Sequence, residues 1–307
     1  MFLSLVSVQA WSVIFFLMSH TVDEKSLIRT TAPVSKVSCL NTEGLQSSTD
    51  VVNVQKVLDE VNHFYQKHDE IKVSHGISHV MAVYQHAVKA ISCHVPPLSS
   101  TESMEIQVTA LLHDVDDKKY FPNHGNYENA RSILKASNVP DDSCGKIVRM
   151  IQLVSCSANG NHVPQDIIDE GAFHLLIPRW ADRLEAVGAI GVLRCYQFNR
   201  EHDMEFSTAN SPRAQTEAEV WNFATQERFE AYQARGGSST DMISHYYDKL
   251  LHVACPPNEL VRNPYLEQKA KESSKELLEV CLRYGKTGTV DEEYIQDIAK
   301  KLLVRIK

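Results

Sequence analysis

Three short stretches of this 307-residue chain bring together side chains able to do chemistry. SHGISHV (74–80) carries His75 and His79 at i, i+4. TALLHDVDDKKY (109–120) carries the adjacent pair His113 and Asp114, followed by Asp117 and Lys119. RWADRLEAVGAIG (179–191) sets Asp182 between Arg179 and Arg183. Imidazole nitrogens and carboxylate oxygens are the donors that divalent cations take, and nothing softer accompanies them. The apolar run VTALL delivers His113 and Asp114 toward an interior, where a lone carboxylate is costly unless it meets a cation. Each stretch also has a plain structural reading: a surface histidine pair, a hydrogen-bonded His-Asp at a helix end, and an aspartate neutralised by its flanking arginines.

Taken in order, a histidine, a His-Asp pair and a distant aspartate on successive helices resemble the HD superfamily of metal-dependent phosphohydrolases. The resemblance runs from about residue 55 to 285. It is nearest to small HD proteins whose motifs read SHDxxHV, HDxxDxK and ADRLDAIGAIG, which stand here as SHGISHV, HDVDDKK and ADRLEAVGAIG. Two positions depart from that pattern: Gly76 replaces an aspartate and Glu185 replaces another. The resemblance implies that His79, His113, Asp114 and Asp182 hold a metal, with Mn²⁺ or Mg²⁺ suiting two imidazoles and two carboxylates, and Fe²⁺ as a further candidate. It also implies attack of metal-bound water on a phosphoester or phosphoanhydride of a small phosphorylated substrate, a nucleotide before other classes.

Within that reading Asp117 is the candidate catalytic group, a general base or water-orienting carboxylate three residues beyond Asp114. Lys119, Arg183 and His75 are the candidate substrate-side groups, the first two for phosphate oxygens. Lys118 and Asp116 read as solvated charges. His124, His162 and His174 fall between the His-Asp pair and Asp182, but their contexts do not resemble the extra histidine motifs of dinuclear HD proteins, so a single metal is expected. Two other functions stay open: a di-iron oxygenase on the same fold, and a binding module without catalysis.

The elements that must position these residues read as helices throughout. Apolar residues recur at helical spacing in 51–68 and 79–93. Ser99 and its following glutamate mark the start of 99–114. Further helices are expected at 126–137, 141–155, 173–198 with Pro178 near its start, 212–234, 239–254, 262–284 and 291–305. Gly188 and Gly191 are expected to allow close helix approach. No stretch alternates as a paired strand does, so the fold class is all-α, a single helical-bundle domain of HD type over 50–307.

Composition sets the outer bounds. The net charge is −8 with 43% hydrophobic and 23% charged residues, an ordinary globular mixture. Such a charge gives no footing for a nucleic-acid duplex or a membrane surface as partner of the folded domain, and an anionic substrate needs locally placed cations. Seven scattered cysteines without a CxxC pair argue against a disulfide framework and suit a reducing, cytoplasmic setting. Residues 1–20 are apolar and carry no charged side chain, so they read as a signal, an anchor or a non-native extension. That segment keeps a secretory or membrane-anchored location open. Residues 21–49 read as a poorly ordered linker.

Overall fold

In the computed structural model, residues 54–71, 75–256 and 258–306 are described. The segments 1–20 and 21–49, and the first residues of the expected domain, lie outside the described residues. Every regular element that is described is helical, and no strand occurs among the described residues. None of the described helices is long and apolar enough to cross a membrane.

The described residues up to 154 form five helices: α1 (Val54–Lys67), α2 (Ile77–Ser92), α3 (Ser100–Leu112), α4 (Glu128–Ala136) and α5 (Asp141–Val154). Helix α3 begins where the sequence marks it. The Ser99 side chain accepts from the Glu102 amide, and Glu102 accepts from the Ser99 amide. A reciprocal cap of this kind contributes about 0.5–2 kcal/mol. Its far end is buried: Val108, Ala110, Leu111 and Leu112 have no exposure, so the residues that follow emerge inside the protein.

Where one helix was expected over 173–198, the chain makes three pieces. A 3-10 turn (Phe173–Leu176) leads into α6 (Ile177–Leu184), with Pro178 in its first turn, and α7 (Gly188–Glu201) follows after a break. The break has a local cause. Gly188 has φ +66°, a conformation that costs other residues, and its amide donates to the Ser273 carbonyl at 2.7 Å. At Gly191 a Cβ would lie 2.3 Å from the backbone of Ala186 in the break, so α7 can turn off this closely only without a side chain there.

The second half continues with α8 (Glu217–Phe223), α9 (Gln226–Ala234), a helical stretch over 242–254 that widens to a π turn at Tyr246–Leu250, α10 (Pro264–Glu272), α11 (Lys275–Thr287) and α12 (Glu292–Ile306). The expected helices over 212–234 and 262–284 are thus each split, the first at Thr225, whose hydroxyl caps α9. Helix α2 packs on both α3 and α6, α3 also packs on α1 and α5, and α7 packs on α11 and α12. The buried apolar side chains form one cluster reaching from Val57 to Ala299. The adjacent helices α2, α3 and α6 are the three that carry the histidine and aspartate motifs.

Candidate metal centre

His79 sits in the first turn of α2, His113 caps the C-terminus of α3, Asp114 follows in the turn, and Asp182 lies on α6. The packing of those three helices brings the four side chains together. The Nε2 atoms of His79 and His113 are 3.2 Å apart. Asp114 Oδ2 lies 3.5 Å from His79 Nε2 and 3.4 Å from His113 Nε2. Asp182 Oδ1 lies 3.2 and 3.7 Å from the same two nitrogens. Donors about 2.1–2.2 Å from one cation stand about 3.0 Å apart at right angles and about 3.5 Å apart at the tetrahedral angle. Four of the five spacings fall in that range and the fifth, 3.7 Å from His113 to Asp182, lies just beyond it; His79, His113 and Asp114 form the group close enough to hold a metal ion, with Asp182 at its edge.

The tautomer fits too. His113 Nδ1 lies 2.9 Å from the Ala110 carbonyl, which can only accept, so Nδ1 carries the hydrogen and Nε2 can offer its lone pair to the centre. The C-terminal end of α3 adds its negative dipole beneath the same point. Both imidazoles are almost fully buried, while the two carboxylates keep partial exposure at 20% and 26%. The centre is therefore closed on its histidine side and accessible on its carboxylate side.

Electrostatics show how strongly the group demands a positive charge. Burial alone lowers the pKa of His113, but the adjacent Asp114 carboxylate outweighs it and holds the imidazole up to about 9. Burial acts upward on Asp182, and the His79 hydrogen bond with the His113 charge overrides it to about 2. His79 is lowered by burial and by Arg194. A protonated His113 thus stands beside two ionised carboxylates, where a cation could take its place.

Asp117 reaches this face by a different route from the one expected. Helix α3 does not continue through it; the chain turns at 113–117, with the Asp117 amide donating to the Asp114 carbonyl at 3.1 Å. Its carboxyl is pushed up by burial and by Asp114, and it accepts from the Lys119 amide at 3.0 Å. Lys119 is exposed, and its Nζ donates to His75 Nε2 at 3.0 Å. His75 precedes the start of α2, since Gly76 is its extended cap, and its Nε2 meets Lys119. Burial and the Lys119 charge drop its pKa to about 2, so it is a neutral acceptor.

Arg183, the other candidate for phosphate oxygens, lies inside the fold. It is 3% exposed, its guanidinium donates to Asn161 Oδ1 and the Gly160 carbonyl, and it lies over the Trp180 ring at 4.6 Å. Those contacts give it a structural task in tying α6 to the 160–161 turn, while its buried Nε has no hydrogen-bond partner among the described residues. Arg179 is similar: fully buried, it donates to the carbonyls of Leu153 and His162. Asp116 is also corrected. It is buried, not solvated, and accepts from the Asn129 and Ala130 amides at the start of α4 and from His124. Asp116, His124 and Glu128 form a second group spaced closely enough for a metal. His162 is exposed, and His174 lies 3.6 Å from Glu102, away from the centre.

Sequence reading missed several charges around the centre. Arg194 on α7 donates to the Glu185 carbonyl at 3.0 Å and reaches His75, His79 and Lys119 electrostatically. Lys249, in the π turn, is kept protonated despite its burial by Tyr232 and by more distant charges including Asp182. Glu185, 2% exposed, pairs with His86 at 3.3 Å, and His86 meets the Tyr265 hydroxyl at 2.7 Å. Nothing in local spacing marks Lys249, which comes from an element far along the chain; Arg194 lies only twelve residues after Asp182 but on the next helix, beyond the break at Gly188.

Over 236 residues the chain is 35% identical to the uncharacterized protein L803 of Acanthamoeba polyphaga mimivirus, a match spanning 73% of this chain and 93% of the viral one. Among solved structures, a Lactobacillus plantarum protein determined by structural genomics superimposes with a TM-score of 0.52 at 18% identity, covering 83% of this chain and 100% of that one. A Listeria innocua protein matches with a TM-score of 0.43 at 20% identity, covering 82% and 98%. The first of these shows a shared helical fold. No protein-family model matches the chain.

Proposed function

We propose, for a chain that belongs to the same family as the mimiviral protein L803, the function of an HD-type metal-dependent phosphohydrolase acting on a small phosphorylated substrate, a nucleotide above other classes. The observation that carries the reading is the convergence of His79, His113, Asp114 and Asp182, with four donor-to-donor gaps of 3.2–3.5 Å and one of 3.7 Å. A divalent cation held there, Mn²⁺ or Mg²⁺ by the donor set, supplies a Lewis acid for phosphoryl oxygens and an activated water.

The chain's own residues do the rest. His113 and His79 form the closed wall, with His113 held in one tautomer by the Ala110 carbonyl. Asp117, its pKa raised beside Asp114, accepts the proton that the attacking water gives up. Lys119, steadied by His75, offers its ammonium to a phosphate oxygen. Arg194 and Lys249 supply the further positive charge that an anionic substrate needs beside carboxylates.

The test uses the purified chain with Mn²⁺, Mg²⁺ or Fe²⁺ against a panel of nucleoside mono-, di- and triphosphates and simple phosphoesters, with metal content measured alongside. The reading expects one divalent ion per chain and metal-dependent release of phosphate or pyrophosphate. A chain that binds its metal yet turns over none of the panel contradicts the hydrolase assignment. Two irons per chain would instead favour an oxygenase.

A further inference from the structure

Two arginines of α6, Arg179 and Arg183, are buried without a counter-ion. Asp248 shows the usual arrangement for a buried charge: it meets Arg228 at 2.7 Å and Arg235 at 3.3 Å. Arg179 and Arg183 have no ion-pair partner among the described residues, and donate only to carbonyl and side-chain amide oxygens. Each keeps one buried nitrogen without a partner, Nη2 on Arg179 and Nε on Arg183, and so does the Trp180 indole at Nε1. Both guanidiniums lie over that indole, at 5.7 and 4.6 Å. Burial drops the Arg179 pKa to about 9 and lowers that of Arg183, a sign of what it costs to hold unmatched charge there. Beside them a small cavity lies between α6, the end of the 242–254 stretch and α10. Trp180 and Arg183 are its only polar side chains, and the others, among them Leu184, Val253, Leu266 and Ala270, are apolar. It has room for about one water-sized group.

We propose that this cavity is a binding site for one monatomic anion, chloride, which accepts from the Arg183 and Trp180 N–H groups and matches the charge of the buried arginines. A water there would accept from both donors, but the lining side chains offer no acceptor for its own hydrogens, and it brings no charge. An anion needs no acceptor, and its attraction to guanidinium is strengthened in an interior of low dielectric. Phosphate and carboxylate groups exceed the cavity, so the site is not one for the phosphate of a substrate. Asp182 and Arg183 are neighbours on α6, and the step of about 100° between them sends one to the candidate metal centre and the other to this cavity. The inference does not depend on the hydrolase reading.

Crystals of the full chain grown with bromide in place of chloride test the site by anomalous diffraction. One bromide is expected in the cavity, within about 3.5 Å of Arg183 Nε and Trp180 Nε1. In solution, chloride or bromide at about 100 mM is expected to raise the melting temperature by about 2–4 °C over gluconate at equal ionic strength, with a dependence that saturates. The halide increment should vanish in Trp180→Phe, which keeps an aromatic ring and removes its N–H, and in Arg183→Gln. A water at that position, or no bromide peak, overturns the proposal. So does a melting temperature that is equal in halide and gluconate, or a halide increment of the same size in the wild type and both variants. Should the variants fail to fold, the bromide position in the wild-type chain decides.

Discussion

Asp114 and Asp116 are two residues apart, each faces a histidine, and each belongs to a group spaced closely enough for a metal, yet they do opposite things. Asp116 is satisfied by the protein itself. Two backbone amides at the start of α4 and His124 fill its acceptor sites, so it works as a buried helix cap. Around Asp114 the donors face one another. The two imidazole nitrogens stand 3.2 Å apart, each 3.2–3.7 Å from an oxygen of Asp114 and of Asp182, and the adjacent Asp114 holds the proton on His113. The lesson is that residue type and proximity do not make a metal centre. Unmet electrostatic demand does, and it can be read from which hydrogen-bond partners are already present.

The sharpest way to break the contrast is Asp182→Ala. It removes a ligand that serves no cap, so it is expected to abolish tight divalent binding and to lower turnover by about a thousandfold or more, as read by metal analysis and steady-state rates. Retained metal would mean that Asp182 is not a ligand. Next comes Asp117→Asn, which should cost about a hundredfold in kcat while metal content stays at the wild-type level. Undiminished turnover removes Asp117 from the mechanism.

Asp116→Asn tests the other side of the comparison. Metal stoichiometry should not change, whereas stability should fall by about 1–2 kcal/mol, because the amides at the start of α4 and the His124 ring lose a charged acceptor. Loss of metal in this variant would erase the distinction between the two groups. The smallest effect is graded with pH. In the metal-free chain His113 keeps its proton up to about pH 9, and that proton must leave before Nε2 can bind a cation. Apparent metal affinity should therefore rise up to about tenfold per pH unit below about 9 and level off above it. Titrations at pH 6, 7, 8 and 9 check the slope, and a flat profile would show that no proton is exchanged.

Much of this was legible in the sequence where the signal is local. The all-α class follows from helical periodicity, and the Ser99 cap lies where its glutamate predicts. The four converging residues stand in contiguous motifs whose types already name their chemistry. What was not legible depends on direction and distance. Arg183 neighbours Asp182 in sequence, but a one-residue step turns a helical side chain by about 100° and sends it to Trp180 and the 160–161 turn. The break at Gly188 is set by a carbonyl on Ser273, 85 residues further on, which no window around the glycine contains. Asp116 looked solvated because the amides that bury it belong to the next helix. Lys249, on the π turn, comes to the site only through packing.

Anomalous diffraction from crystals grown with Mn²⁺ tests the central claim most directly. The account predicts one strong manganese peak about 2.0–2.3 Å from His79 Nε2, His113 Nε2 and an oxygen of each of Asp114 and Asp182. No peak there, or a peak between Asp116 and Glu128 in its place, would contradict it.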